Sequence, residues 1–202
     1  MGTIRIGAVS ALLFVLFAGL LIYAPGVLAR IDLAASTLVA PLQTLDVIEA
    51  FLVITVLGGG VGVIVVSVGA IYIGRFGTTE VLQLGTVLAG VLFANKVLKE
   101  VFVRARPETL LWLDPIPSFS FPSGHATAAI ALYGFLAVLA YRRTQRLLIP
   151  ALLVAVGILV GLSRIVLSAH YLSDVLAGFF LGTALVCLAF SMPVGRLVEK
   201  YG

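Results

Sequence analysis

Charge is scarce in this chain. Of 202 residues only 11% are Asp, Glu, Lys or Arg, against 61% hydrophobic, and mean hydropathy is +1.21. A soluble domain of this size cannot hide so much apolar side-chain surface, so a soluble fold is excluded and an integral membrane protein is expected. Cysteine is nearly absent as well. Cys187 stands alone in the middle of the last apolar run, which excludes an intramolecular disulfide and leaves it as a small packing residue. There is no internal repeat and no low-complexity tract, and the connections are short, so residues 1–202 read as a single domain. A net charge of +4 implies no nucleic-acid partner, because the basic residues fall in inter-helix loops and motifs and form no basic stripe.

Six apolar runs of about bilayer length can be placed, at Ile6 to Tyr23, Ala50 to Ile73, Val81 to Leu98, Ala126 to Tyr141, Leu147 to Val166 and Ala169 to Met192, the fourth being the shortest and lengthened by the turn that starts at Ser123. The first is too long for a signal peptide and has only Arg5 before it, so it reads as a retained helix. The expected fold is therefore all-α, a polytopic six-helix bundle. Between the first two spans, Pro25 to Asp46 carries apolar residues at a three-to-four spacing and predicts an interfacial helix broken near Pro41. Asp46 and Glu49 resemble a capping pair opening the second span. Gly58/Gly62, Gly157/Gly161 and Gly178/Gly182 are spaced for close helix packing.

With the N-terminus inside, seven of the thirteen Lys and Arg residues fall on the inner side: Arg5, Arg75, Arg142, Arg143, Arg146, Arg196 and Lys200. The outer six are Arg30, Lys96, Lys99, Arg104, Arg106 and Arg164. Three of these belong to polar clusters better explained by chemistry, which leaves seven against three and places both termini in the cytoplasm.

Those clusters gather at the outward helix ends. Lys99 and Arg106 are two helical turns apart and face the same way until Pro107 discourages continuation. Lys96 lies one turn before Lys99 and is a possible additional contact. Arg104 points elsewhere and, four residues from Glu100, reads as an ordinary helix ion pair. After a loop rich in proline and aromatics (Trp112, Pro115, Pro117, Phe119, Phe121), the fourth span opens with Pro122-Ser123-Gly124-His125. Free amides at a helix start, a hydroxyl, a glycine and an imidazole outline an anion site; the plainer alternative is a helix start with an interfacial histidine. The aromatics, Trp112 above all, fit an interface belt.

The third cluster is Ser163-Arg164-x5-His170-x3-Asp174. On a helix, His170 and Asp174 share a face, where a carboxylate fixes the imidazole tautomer; a helix-end ion pair is the competing reading. Arg164 and His170 are about 240° apart on a continuous helix and converge only if it breaks between them, with Ser168 as the N-cap of the break. Gathered cations at a membrane boundary call for a multiply charged anion, and phosphate fits best. Two histidines and one aspartate amount to three potential metal ligands, but the surrounding cations disfavour a divalent ion, so no metal and no cofactor is expected.

Lys99-x6-Arg106-Pro107, Pro122-Ser123-Gly124-His125 and Ser163-Arg164-x5-His170-x3-Asp174 together resemble the tripartite signature of the type 2 phosphatidic acid phosphatase superfamily, in its membrane lipid phosphatase branch. All three parts match without substitution. The resemblance implies a hydrolase in which His170 attacks phosphorus to form a phosphohistidine, Asp174 orients it, and His125 protonates the leaving oxygen and later activates water. Lys99, Arg106, Ser123, Gly124 and Arg164 would bind the phosphoryl oxygens. The partners implied are the bilayer and a lipid phosphate, undecaprenyl diphosphate or phosphatidylglycerol phosphate foremost, with no obligatory protein partner. A bacterial inner membrane with the site on its outer face follows as the expected location. A lipid-phosphate transporter or flippase is the alternative, but no polar path continues through the helix centres and no inverted repeat is evident.

Overall fold

The computed structural model describes residues 2–107 and 118–192. Trp112, Pro115, Pro117, Arg196 and Lys200 lie outside the described residues. The described chain is helical: α1 (Gly2–Tyr23), α2 (Pro25–Val39) running into a 3-10 turn (Ala40–Leu42), α3 (Leu45–Val56), α4 (Gly60–Gly74), α5 (Thr78–Phe102), α6 (Gly124–Thr144), α7 (Leu148–Val166) and α8 (Leu172–Ser191). The expected all-α membrane bundle is what the structure shows.

Local chemistry sets several of these boundaries. The Glu80 carboxylate accepts the Gly77 amide at 2.9 Å and closes the first turn of α5. Ser123 caps α6 by accepting from the Ala126 amide. At α3 the expected capping pair does not form: Thr44 is the N-cap, and among the described residues no side-chain cap bond is made there. α2 gives way to the 3-10 turn at Ala40 and Pro41, where the ring removes a backbone donor.

The second span is not one helix. α3 and α4 are bent by 54° at Leu57, Gly58 and Gly59, so the continuous run expected from Ala50 to Ile73 is broken. The Leu57, Gly58 and Gly59 amides bond three residues back, tightening the end of α3. At this break the backbone comes so close to its neighbours that a Cβ on Gly58 would lie 2.3 Å from Val160 Cγ1 and 3.2 Å from the His125 carbonyl oxygen.

α6 and α8 form the centre, each about half buried. Leu84, Val87 and Val91 of α5, Leu132, Phe135 and Leu136 of α6 and Val186 of α8 make one continuous apolar cluster. α8 meets α6 through glycine: a Cβ at Gly178 would lie 2.9 Å from the Ser123 carbonyl oxygen, and one at Gly182 2.7 Å from that of Thr127. Without side chains there, two backbones pack directly, which is how membrane helices associate when lipid supplies no hydrophobic drive. α1 leans on α8, where Cys187 is buried against Gly7.

By length and composition α2 with its 3-10 turn also passes for a span, but its contacts put it elsewhere. Asp32 bonds the start of α8, and Gln43 donates to Val166 O and to Ser168 Oγ at the end of α7. These two residues are about 16 Å apart along an ideal helix, yet both grip the same end of the bundle. α2 therefore lies across that end, as an interfacial helix does. Six spans remain, counting bent α3–α4 as one.

Candidate active site

The end of the bundle beneath α2 gathers the polar residues. α7 stops at Val166; Ser168 adopts a left-handed conformation (φ 49°), and the Ala169 and His170 amides both return to Arg164 O at 2.9 and 3.1 Å. This turn is the break that Arg164 and His170 require. Ser168 does not cap the next helix, however. Tyr171 is the N-cap of α8, and the Asp174 carboxylate accepts the Tyr171 amide at 3.0 Å. His170 thus precedes α8 and meets Asp174 across a turn, not along one helix face.

His170 is 3% exposed and has two different sides. Its Nε2 lies 3.0 Å from Arg106 Nη1. Its Nδ1 faces Ser120 Oγ at 3.3 Å and Asp174 Oδ2 at 3.6 Å. A guanidinium only donates, so Nε2 is the acceptor and the proton sits on Nδ1, toward Ser120 and Asp174. Burial pushes the imidazole down to about 4, with Asp174 pulling the other way, so the ring is neutral near pH 7 and Nε2 keeps an unprotonated lone pair, which here accepts from Arg106.

Asp174 is fully buried and satisfied on every side. It accepts from Arg104 Nη1 at 2.5 Å, from Ser120 Oγ at 2.5 Å and from the Tyr171 amide. Arg104 is not the partner of Glu100 that helical spacing suggested. α5 ends at Phe102 and Val103 turns left-handed (φ 46°), which swings Arg104 into the bundle. There it also donates to Ser173 Oγ at 2.7 Å and Asp32 Oδ2 at 2.7 Å, and it stacks over Tyr171. Asp32 in turn accepts the Ser173 amide and hydroxyl, both at 2.8 Å. Burial alone would lower the Arg104 pKa, but the carboxylates of Asp174 and Asp32 raise it above its ordinary value. Arg104, Asp32 and Ser120 are thus members of the site that sequence reasoning missed.

The other expected residues converge by their own routes. Lys99 donates to Phe119 O. Arg106, off the end of α5, donates to Ser118 O, Ser118 Oγ and Ala169 O at 2.8, 2.9 and 2.7 Å, so it reaches Lys99 through the turn at Val103, not along a helix stripe. Arg164 Nη1 donates to Thr55 Oγ1 of α3 at 2.7 Å, while its Nε is buried with no partner among the described residues. Ser123 donates its amide to Asp174 O at 3.0 Å, tying the start of α6 to that of α8. His125 sits beside the α3–α4 break, its Nε2 3.4 Å from where a Cβ on Gly59 would be. It is within Coulombic range of Arg164, His170, Arg106 and Lys99. Lys96 is exposed and takes no part. Phe121 is no belt residue: it is fully buried between Phe14 and Phe102. Among the described residues no three His, Cys, Asp or Glu side chains group to hold a metal ion.

The sequence profile of the PAP2 superfamily matches residues 80–197, more than half of the chain. The chain belongs to the PAP2 superfamily. Among PAP2 relatives, phosphatidylglycerophosphatase B of Bacillus subtilis is 35% identical over 113 residues, 52% of this chain and 55% of that protein. Decaprenylphosphoryl-5-phosphoribose phosphatase of Mycobacterium tuberculosis is 34% identical over 114 residues, 54% of this chain and 60% of that one. The chain thus spans a little over half the length of the curated relatives it matches. Among solved structures, a transmembrane PAP2-type phosphatidylglycerolphosphate phosphatase from Bacillus subtilis superposes with a TM-score of 0.77 at 28% identity, covering 97% of both chains. Aquifex aeolicus LpxE, at 21% identity and a TM-score of 0.65 over 79% of this chain and 94% of that one, shares the fold.

Proposed function

We propose that this PAP2 protein is a lipid phosphatase that works through a phosphohistidine on His170. The observation that carries this is the two-sided imidazole: Nε2 directed at Arg106, and Nδ1 backed by Ser120 and by a carboxylate that is itself held by Arg104. An imidazole held in one tautomer, with its lone pair facing a cluster of cations, is arranged to attack a phosphate. The names of the relatives reported above, phosphatases of lipid phosphates, support the lipid phosphatase part of this reading.

In the first step the Nε2 lone pair forms a bond to phosphorus while the bond to the lipid oxygen breaks, and His125 gives that oxygen its proton. In the second, His125 takes a proton from water, the water oxygen attacks phosphorus, and the phosphorus–nitrogen bond breaks to return His170 and release phosphate. Asp174 stabilises the charge that develops on His170. Lys99, Arg106 and Arg164, with the Gly124 amide and Ser123 at the start of α6, hold the phosphoryl oxygens as charge shifts during transfer. The orphaned Arg164 Nε fits this role, since a buried guanidinium donor without a partner is costly until an anion takes it. The cations neutralise the phosphate, so no metal enters the steps.

The site opens at a membrane boundary, which suits a substrate whose tail stays in the bilayer. With Arg5, Arg75, Arg142, Arg143 and Arg146 at the opposite end of the bundle, the site faces the outer side of a bacterial cytoplasmic membrane and both termini face the cytoplasm. Purified protein in detergent with excess chelator is expected to release phosphate from lipid phosphates, and His125→Ala is expected to slow release by about 10²- to 10⁴-fold. Binding of lipid phosphate without release would instead mark a carrier, and loss of activity in chelator would place a metal in the mechanism.

A further inference from the structure

Three buried polar side-chain atoms have no partner among the described residues: Ser67 Oγ, Arg164 Nε and Asn95 Oδ1. Arg164 is accounted for by phosphate and Ser67 lies on α4 away from the site. Asn95 is left. It sits on α5 one turn before Lys99, on the same face, and is 8% exposed. Its Nδ2 donates to Val91 O at 2.9 Å, which fixes the orientation of the amide and turns Oδ1 outward. That oxygen would be 3.7 Å from a Cβ on Gly124. Asn95, Gly124 and His125 together line one end of a cavity of about 340 Å³ whose remaining wall is apolar, Leu88 and Val91 included.

The cavity therefore begins at the proposed general acid and runs along apolar side chains. A leaving group that takes its proton from His125 would lie against this space. The unmatched group it meets there is an acceptor, and an acceptor needs a hydroxyl or amine donor. Among the described residues no Lys or Arg lines the cavity, so a second phosphate placed directly there, as in a diphosphate, would set its own acceptor oxygens against Asn95 with no cation among those lining residues to offset them.

We propose, building on the lipid phosphatase function above, that Asn95 Oδ1 accepts a hydrogen bond from a free hydroxyl on the leaving alcohol. The site thereby takes lipid phosphomonoesters of polyols in preference to polyprenyl diphosphates. A site with a buried acceptor discriminates well against substrates that lack the matching hydroxyl, because binding them leaves the acceptor unpaired. A substrate such as phosphatidylglycerol phosphate meets the requirement, its glycerol carrying a hydroxyl beside the reacting oxygen and holding the second phosphate farther off.

The test compares kcat/KM of the full-length protein for phosphatidylglycerol phosphate, for its analogue lacking the free hydroxyl of the leaving glycerol, and for undecaprenyl diphosphate. Wild type is expected to favour the hydroxyl-bearing lipid over the deoxy analogue by about tenfold, and in Asn95→Leu that ratio should fall to about one. The wild-type comparison needs no variant, so it decides even if Asn95→Leu fails to fold. A wild-type ratio near one, a ratio that persists in Asn95→Leu, or equal turnover of undecaprenyl diphosphate would overturn the role of Asn95 while leaving the phosphatase function standing. A loss of the same factor on every lipid would also overturn it, assigning Asn95 to the positioning of His125. No phosphate release from any of the lipids by wild type would reject the phosphatase function itself.

Discussion

A His170→Ala protein is expected to fold, to stay in the membrane and to lose more than about 10⁴-fold in phosphate release. The loss exceeds that expected for His125→Ala because the roles proposed for the two residues differ. Without His125 the phosphorus is still attacked, only with a poorer route for the proton. Without the Nε2 lone pair, no bond to phosphorus forms and the route through a covalent intermediate closes. Arg106 would face an empty space where Nε2 now accepts at 3.0 Å, but it keeps its bonds to Ser118 and Ala169, so the cation cluster survives the substitution. Steady-state turnover on a lipid phosphate that wild type hydrolyses is the measurement, and turnover near the wild-type level would exclude His170 as the nucleophile.

Arg104→Ala is expected to be the most destabilising single change in the site, at roughly 3–5 kcal/mol, the usual cost of removing one partner from a buried ion pair. Asp174 is wholly buried and Asp32 nearly so, and Arg104 is the cation bonded to both carboxylates. Its removal strands two charges. Asp32→Ala should cost less, since Arg104 keeps Asp174 and Ser173. Arg104→Lys should fall between, because an ammonium restores the charge without the planar fork that bonds Asp32, Ser173 and Asp174 at once. Thermal unfolding in detergent gives the order. A midpoint for Arg104→Ala equal to wild type would mean that the paired carboxylates do not depend on this arginine.

The sequence made the spans legible because apolar length is a direct signal of membrane crossing. It made the turn before His170 legible because helical geometry forbids Arg164 and His170 to converge otherwise. The opening of the fourth span at Pro122-Ser123-Gly124-His125 was readable from local chemistry, whereas the cap that Ser123 provides for α6 came only with the structure. Arg104 was not readable. Its spacing from Glu100 suggests an ion pair only if α5 continues, and α5 is ended by a valine in a left-handed conformation that β-branched residues rarely adopt. Nothing in the local sequence announces that turn. Asp32 was hidden differently: it contacts Arg104 and Ser173, distant in sequence, and a lone acidic residue on an amphipathic helix looks like ordinary solvent-facing polarity. The break between α3 and α4 did leave a signal, the run Gly58-Gly59-Gly60, which helix-packing spacing explained away. Only the folded chain shows that this break makes room for His125.

The covalent intermediate is the most direct point of attack. Wild-type protein mixed with radiolabelled lipid phosphate in excess chelator and quenched in alkali within the first turnover should carry label on one residue. Peptide mapping should place that label on His170, and His170→Ala should carry none. First-turnover phosphate release with no labelled protein, or label found on another residue, would contradict the mechanism.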